Sequence, residues 1–232
     1  TSWLMHDAEK GDDITPPGPL LKEAILRFFR DCGRLPDTLV VYRGGVSESQ
    51  EATLLDSEVY HPDGGLLETL VAVSKEVPIS GEALSHWKRR LEVAYILVRR
   101  GTNSRFMTEK NDNLPSGTCI DEGIVPNRED EQDQGGASKK FDFYMVSQTF
   151  VIGTAKPSLY SVLYNTLTLE RREIMQLTYR LCGVYGTFSG MVSIPAPLKY
   201  AAKLLSLLAK CKSTPPEPTG SAERWSSNLF FV

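Results

Sequence analysis

Residues 38–45 read Thr38-Leu39-Val40-Val41-Tyr42-Arg43-Gly44-Gly45, an apolar run that stops at an arginine and two glycines. A continuous run of strand length, rich in β-branched and aromatic residues, predicts a strand buried in a parallel sheet. The Gly-Gly pair supplies the freedom for an abrupt turn at its end. Leu91-Glu-Val-Ala-Tyr-Ile-Leu-Val98 repeats the pattern and runs into Arg99-Arg100. Two such runs predict the centre of a layered α/β domain.

The flanking sequence supplies the layers. Leu21, Ala24, Ile25, Phe28 and Phe29 recur at helical spacing, which predicts a helix over 20–32 ended by Gly33. Residues 47–58 and 65–76 read as helical, and 77–87 as an irregular connection. Further strands are expected over 2–7, 141–148 and 158–164. Residues 168–184 predict a helix with Leu169, Ile174, Leu177, Leu181 and Val184 inward, and residues 200–212 another. The stretch 127–140 is polar and free of aromatic residues, so it is expected to be a mobile acidic loop insertion. Pro215, Pro216 and Pro218 precede an apolar tail, Leu229-Phe-Phe-Val232. Alternation of strand and helix points to one α/β domain without internal repeats.

Composition narrows the function classes. The 232 residues carry 26 Lys plus Arg against 29 Asp plus Glu, for a net charge of −3. The balance is uneven: 139–212 holds ten basic residues and three acids, whereas 121–133 holds six acids and one arginine. A mildly acidic chain can therefore carry a basic face, the footprint of a polyanion site. Cys32, Cys119, Cys182 and Cys211 form no CxxC pair, and His6, His61 and His86 form no HxxxH pattern, so a zinc hydrolase is excluded. Scattered thiols fit a reducing compartment, cytoplasm or nucleus. No run approaches about 18 uncharged apolar residues, so no membrane span is expected. Nor does the start of the chain read as a signal peptide. Without an initiator Met the chain reads as a piece of a longer protein.

Three segments together resemble the PIWI domain of the Argonaute/Piwi family, a ribonuclease-H-like fold. Val41-Tyr-Arg-Gly-Gly-Val-Ser-Glu-Ser-Gln50 resembles that family's YRDGVxxxQ motif. Phe141-Asp-Phe-Tyr-Met-Val-Ser-Gln148 with Gly153-Thr-Ala-Lys-Pro157 resembles its FDFYLxS…QGTxxP segment. Leu177-Thr-Tyr-Arg-Leu-Cys182 with Val192-Ser-Ile-Pro-Ala-Pro-Leu-Lys-Tyr-Ala201 resembles its LTYxLC…PAPxxYAH segment. Leu114-Pro-Ser-Gly-Thr118 fits a PxGT element between them. The resemblance runs from about Leu20 to Val232 and implies a partial, C-terminal PIWI domain over 1–232. It would have a mixed central sheet, helices on both faces, and its first strand or strands outside the chain.

The resemblance also implies a chemistry that this sequence only partly carries. Members cut guide-paired RNA with two Mg²⁺ ions held by carboxylates. The family's Asp after Tyr-Arg is here Gly44, and its His after Tyr-Ala is Ala202; neither can ligate a metal. The family's first Asp would precede this chain, and Asp7 is a poor substitute. The loop glutamate would fall near Asp12 or Asp13. Glu48 and Asp56 are the remaining nearby acids, but ribonuclease sites need carboxylates fixed by rigid elements.

Binding residues are better kept. The resemblance places Arg99, Arg100, Arg105, Thr154, Lys156, Ser193 and Lys199 toward RNA phosphates, a job for cations and hydroxyls. Val232 could offer its terminal carboxylate to a Mg²⁺ on the guide's 5′ phosphate. Leu207 stands where many Argonautes carry an Arg. The expected partners are a small guide RNA, target RNA and the remaining Argonaute domains (N, PAZ and MID), with Trp-bearing silencing proteins as a further class. The expected function is RNA binding in gene silencing without cleavage and without a required cofactor. The alternative is an Mg²⁺-dependent slicer with non-standard ligands.

Overall fold

The computed structural model describes residues 16–125, 128, 140–150 and 153–210. Five strands form one sheet: β1 (Thr38–Gly44), β2 (Glu92–Arg99), β3 (Thr118–Ile120), β4 (Phe141–Val146) and β5 (Ser158–Asn165). Their order is β1-β2-β5-β4-β3. β1 runs parallel to β2, and every other neighbouring pair is antiparallel. A parallel pair needs a crossover, and the segment between β1 and β2 supplies it as helices. These are α2 (Glu51–Leu54), α3 (Leu66–Glu76) and α4 (Gly81–Arg90); α1 (Gly18–Cys32) precedes β1. Two further helices follow β5, α5 (Arg171–Cys182) and α6 (Ala196–Lys210).

Strand alternation divides the core into two clusters. Ala94, Ile96 and Val98 of β2 face α5 and α6, packing with Phe143, Tyr160, Val162, Ile174, Cys182 and Tyr200. Val93, Tyr95 and Leu97 face the other way, toward Leu21, Ile25, Leu54, Leu66, Leu70 and Trp87. Helices thus cover both faces of a mixed sheet, as the motifs implied. β1 is less enclosed than its sequence suggests: no residue of it is fully buried, because the described residues place a neighbour on one side only. Its register sets Gly44 opposite Val98 and Arg43 opposite Leu97.

Three local expectations need correction. The segment expected to be irregular contains α4, whose N-cap Ser80 accepts the Ala83 N–H at 3.3 Å. Its indole Trp87 is buried and donates to the Pro36 carbonyl at 2.8 Å. The helix expected over 47–58 is broken into a 3₁₀ turn at Glu48–Gln50, the short α2 and a π-helical turn at Leu55–Val59. α5 ends at Cys182, so Val184 is exposed, and Ile174, Met175, Thr178 and Cys182 form the inward stripe. The three-residue strand β3 gave no periodic signal. The expected strand at 2–7, the acids Asp7, Asp12 and Asp13, the proline-rich stretch, Cys211 and Val232 lie outside the described residues. So does the 127–140 loop apart from Arg128 and Lys140.

Candidate functional site

A cavity of about 1170 Å³ opens at the carboxyl end of β1, between the Arg43-Gly44-Gly45 turn, the 100–104 loop and α6. Gly45 makes the turn in the left-handed region, at φ 82°. The cavity wall is apolar along α6, where Leu198, Ala201, Ala202 and Leu205 line it. On the opposite side it carries Arg43, Arg100, Thr102, Asn103, Ser104 and Tyr144. Gly44 and Ala202, far apart in sequence, line this one cavity. β1 is fixed there from below: the Tyr42 hydroxyl bonds the Thr178 hydroxyl of α5 at 2.9 Å. Burial pushes the Tyr42 phenol up to about 12, so it stays neutral.

Alternation sends Arg43 to the opposite face from Gly44. Its Nε donates to both oxygens of Glu58, at 3.0 and 3.3 Å, and Nη1 donates to the Gly44 carbonyl at 2.5 Å. The Tyr95 hydroxyl also donates to Glu58. The π-helical turn is what brings Glu58 inward, where it is 3% exposed. Periodicity gave no hint of this, because a π turn shifts the helical register by one residue. Glu58 rather than Asp56 therefore lines the cavity with Gly44.

Among the described residues the donor set does not fit a pair of divalent ions. Positions 44 and 202 present no ligating side chain, and both Glu58 oxygens already accept hydrogen bonds. Among the described residues no three His, Cys, Asp or Glu side chains form a group able to hold a metal.

The expected RNA-contacting residues separate into three kinds. Arg100, Thr154 and Lys156 are exposed, and Lys199 is half-exposed on α6. Their loops are cross-linked: Thr102 donates to the Pro157 carbonyl at 3.0 Å, and Ser158 donates to the Ser193 carbonyl at 2.9 Å. Asn113 clamps the Gly153–Ala155 turn, donating to Gly153 and accepting from Ala155, each at 2.8 Å. Arg105 is also exposed but folds onto its own loop, donating to the Thr102 and Ser104 carbonyls at 2.7 Å.

Arg99 differs most from expectation. It follows Tyr95 and Leu97 onto the inner face, where it pairs with Glu51 and donates to the Ser161 hydroxyl at 2.9 Å. Arg128 completes the group, reaching Glu51 at 2.9 Å and Asp142 at 3.0 Å. These four charged side chains are at most 14% exposed. Burial raises the Asp142 carboxyl above its ordinary value, opposed by Arg128.

Comparison with known proteins agrees with this fold. The Piwi domain family matches residues 7–212. The chain is 32% identical to the Drosophila melanogaster protein piwi over 190 residues, and 30% identical to human Piwi-like protein 3 over 215 residues. Those matches cover 82% and 91% of this chain but only 20% and 21% of the relatives, so the chain spans about a fifth of their length. Among solved structures, Drosophila Piwi superimposes with a TM-score of 0.66 at 30% identity, covering 82% of this chain and 23% of that one. The C-terminal lobe of a budding yeast Argonaute gives 0.72 at 21% identity, over 98% and 46% of the two chains, a likeness of fold. A Kluyveromyces polysporus Argonaute solved with a guide RNA gives 0.64 at 23%, over 88% and 22%. With its fold, its motif order and the match over nearly all its length in agreement, the chain belongs to the Piwi domain family.

Proposed function

We propose that this domain holds a small guide RNA paired with its target and silences by holding rather than cutting. The observation that carries the reading is the cavity shared by Gly44 and Ala202. The residues that the family motifs would use as ligands meet there, and neither bears a ligating atom. Around the same end of the sheet, Arg100, Thr154, Lys156 and Lys199 remain available to phosphates. Phosphate contacts are sequence-independent, as a guide-loaded protein requires. The guide RNA named with the Kluyveromyces polysporus structure supports the same ligand class.

The rest of the binding surface comes from N, PAZ and MID domains outside this chain, as its fifth-length match to relatives suggests. A Mg²⁺ ion, when bound, would serve the guide's 5′ phosphate. Reduced thiols support a cytoplasmic or nuclear setting, and no helix among the described residues is long and apolar enough to cross a membrane. The test uses the full-length protein loaded with a 5′-phosphorylated guide. It should retain a matched target RNA, losing affinity as salt rises, and leave it intact in Mg²⁺. Guide-directed cutting that EDTA abolishes would instead establish the slicer reading with non-standard ligands.

A further inference from the structure

Three ion pairs near the sheet's carboxyl end contrast in one respect. Arg99 with Glu51 and Arg128 with Asp142 are closed on both sides, the two arginines 13% and 11% exposed. In the pair Arg43–Glu58 the Glu58 side chain is 5% exposed but that of Arg43 30%, and Arg43 lines the cavity. Its Nε is taken by Glu58 and its Nη1 by the Gly44 carbonyl. Burying a carboxylate is costly unless its oxygens are satisfied. Here Arg43 and Tyr95 satisfy them, and the guanidinium plane is held in one orientation as a result. A pinned guanidinium loses less entropy when it binds a second oxyanion than a free surface lysine does.

We propose that Arg43 is a phosphodiester-binding residue of the cavity, and that Glu58 and Tyr95 are positioning residues that aim it. The proposal rests on the RNA-binding reading above and adds a contact to it. The cavity offers matching groups for a sugar-phosphate backbone: Arg100 is a second cation, and Asn103 supplies an amide donor. The α6 side, formed by Leu198, Ala201, Ala202 and Leu205, has no charge to repel the strand. An anion here meets donors and apolar wall, with no free carboxylate of the described residues among the lining groups.

The decisive variant is Glu58→Gln, because charge and positioning predict opposite signs. Removing a negative charge beside the cavity should tighten RNA binding if only the field matters. Loss of one of the two acceptors that hold Arg43 Nε should weaken it if aim matters. The experiment measures guide–target duplex binding by the full-length protein across a salt series, with melting temperature as the check on folding. Arg43→Gln should weaken binding about tenfold and shallow the slope of log affinity against log salt by about one. Arg43→Lys keeps the charge, loses the fork, and should recover only part of the affinity. Glu58→Gln should weaken binding several-fold. If Glu58→Gln lowers the melting temperature sharply, Tyr95→Phe, which changes no charge, should weaken binding in the same direction.

Lys75→Gln, an exposed position on α3, is the unaffected control. Tighter binding by Glu58→Gln, or full affinity and slope in Arg43→Gln while Lys156→Gln and Lys199→Gln bind weakly, overturns this inference alone. Failure of the unmodified protein to bind the duplex overturns the RNA reading itself.

Discussion

Leu198 stands against the spot where any side chain at position 44 would begin. An ideal Cβ built on Gly44 lies 3.2 Å from Leu198 Cδ2 and 3.3 Å from Cδ1. Contacts that short force the leucine to give way by a few tenths of an ångström, and its methyls would also strip water from a carboxylate placed there. In the cavity that Gly44 shares with Ala202, an apolar side chain is therefore packed over position 44.

That contact has a measurable sign. Replacing Gly by Ala within a strand ordinarily gains about 0.5–1 kcal/mol. At position 44 the clash should cancel the gain or reverse it, and trimming Leu198→Ala should restore it. Urea unfolding of Gly44→Ala, Leu198→Ala and the double variant should show favourable coupling of about 1 kcal/mol. Purely additive effects would show that Leu198 yields freely. For the same reason, Gly44→Asp with Ala202→His should need Leu198 shortened before any Mg²⁺-dependent cutting is regained.

The cations proposed to contact RNA divide by where they lie. Lys156→Gln and Lys199→Gln, and Arg100→Gln beside them, should each lower affinity for duplex RNA and shallow the salt slope by roughly one. Arg99→Gln should behave differently. Its guanidinium is committed to Glu51 and Ser161, so the variant should lower the melting temperature and leave the salt slope near that of the parent. A full unit of lost slope in Arg99→Gln at unchanged stability would place it back among the phosphate contacts.

What the sequence could and could not convey follows from period and distance. β2 was legible because burial on both faces makes a continuous apolar run, and α1 because its stripe and terminal Gly33 are local signals. The inward position of Arg99 is easy to overlook, because a doublet after a strand looks like a surface pair, although the two-residue period sends it inward behind Tyr95 and Leu97. Glu58 was missed because a π turn breaks the 3.6 period on which helix reading depends. α4 is hard to read because its apolar stripe, Leu84 and Trp87, is narrow and only Trp87 is buried, although the Ser80 cap and the basic residues of its last turn are local signs. The position of Gly44 beside Ala202 came from motif resemblance; their shared cavity depends on α6 crossing the end of β1, a tertiary fact with no local signature.

The cysteines make a separate test of the packing. Burial pushes the thiols of Cys119 and Cys182 up to about 11, so little thiolate forms at neutral pH. Cys182 is also closed to solvent, whereas Cys32 is exposed at the end of α1. Alkylation of the native protein at pH 8 should label Cys32 well before Cys119, and Cys182 only on unfolding. Peptide mapping after timed quenching reads the order directly. Early modification of Cys182 would mean that α5 does not seal that part of the core.

Asp142 and Arg128 offer the last test, through both coupling and pH. They sit in a group with Glu51 and Arg99 in which two positive and two negative charges balance inside the domain. Removing Arg128 leaves the buried Asp142 and Glu51 charges short of a partner, so Arg128→Met alone should cost about 3 kcal/mol or more, whereas Asp142→Asn keeps the neutral form that burial favours and should cost less. Replacing both should cost much less than the sum, because the double variant buries no orphan between them. The pH dependence has the sign set by burial. The folded Asp142 carboxyl titrates above its ordinary value of 3.8, so the folded state holds that proton more tightly than the unfolded chain. Its contribution to stability is therefore full below the ordinary value and declines as pH rises through the folded one. Arg128 opposes the shift, so Arg128→Met should carry the decline to higher pH, and Asp142→Asn should abolish it. Melting temperatures recorded from about pH 4 to 7 for the three proteins give the comparison. A parent whose stability instead rises through that window by the amount Asp142→Asn removes would show that the pair, rather than burial, governs this carboxyl.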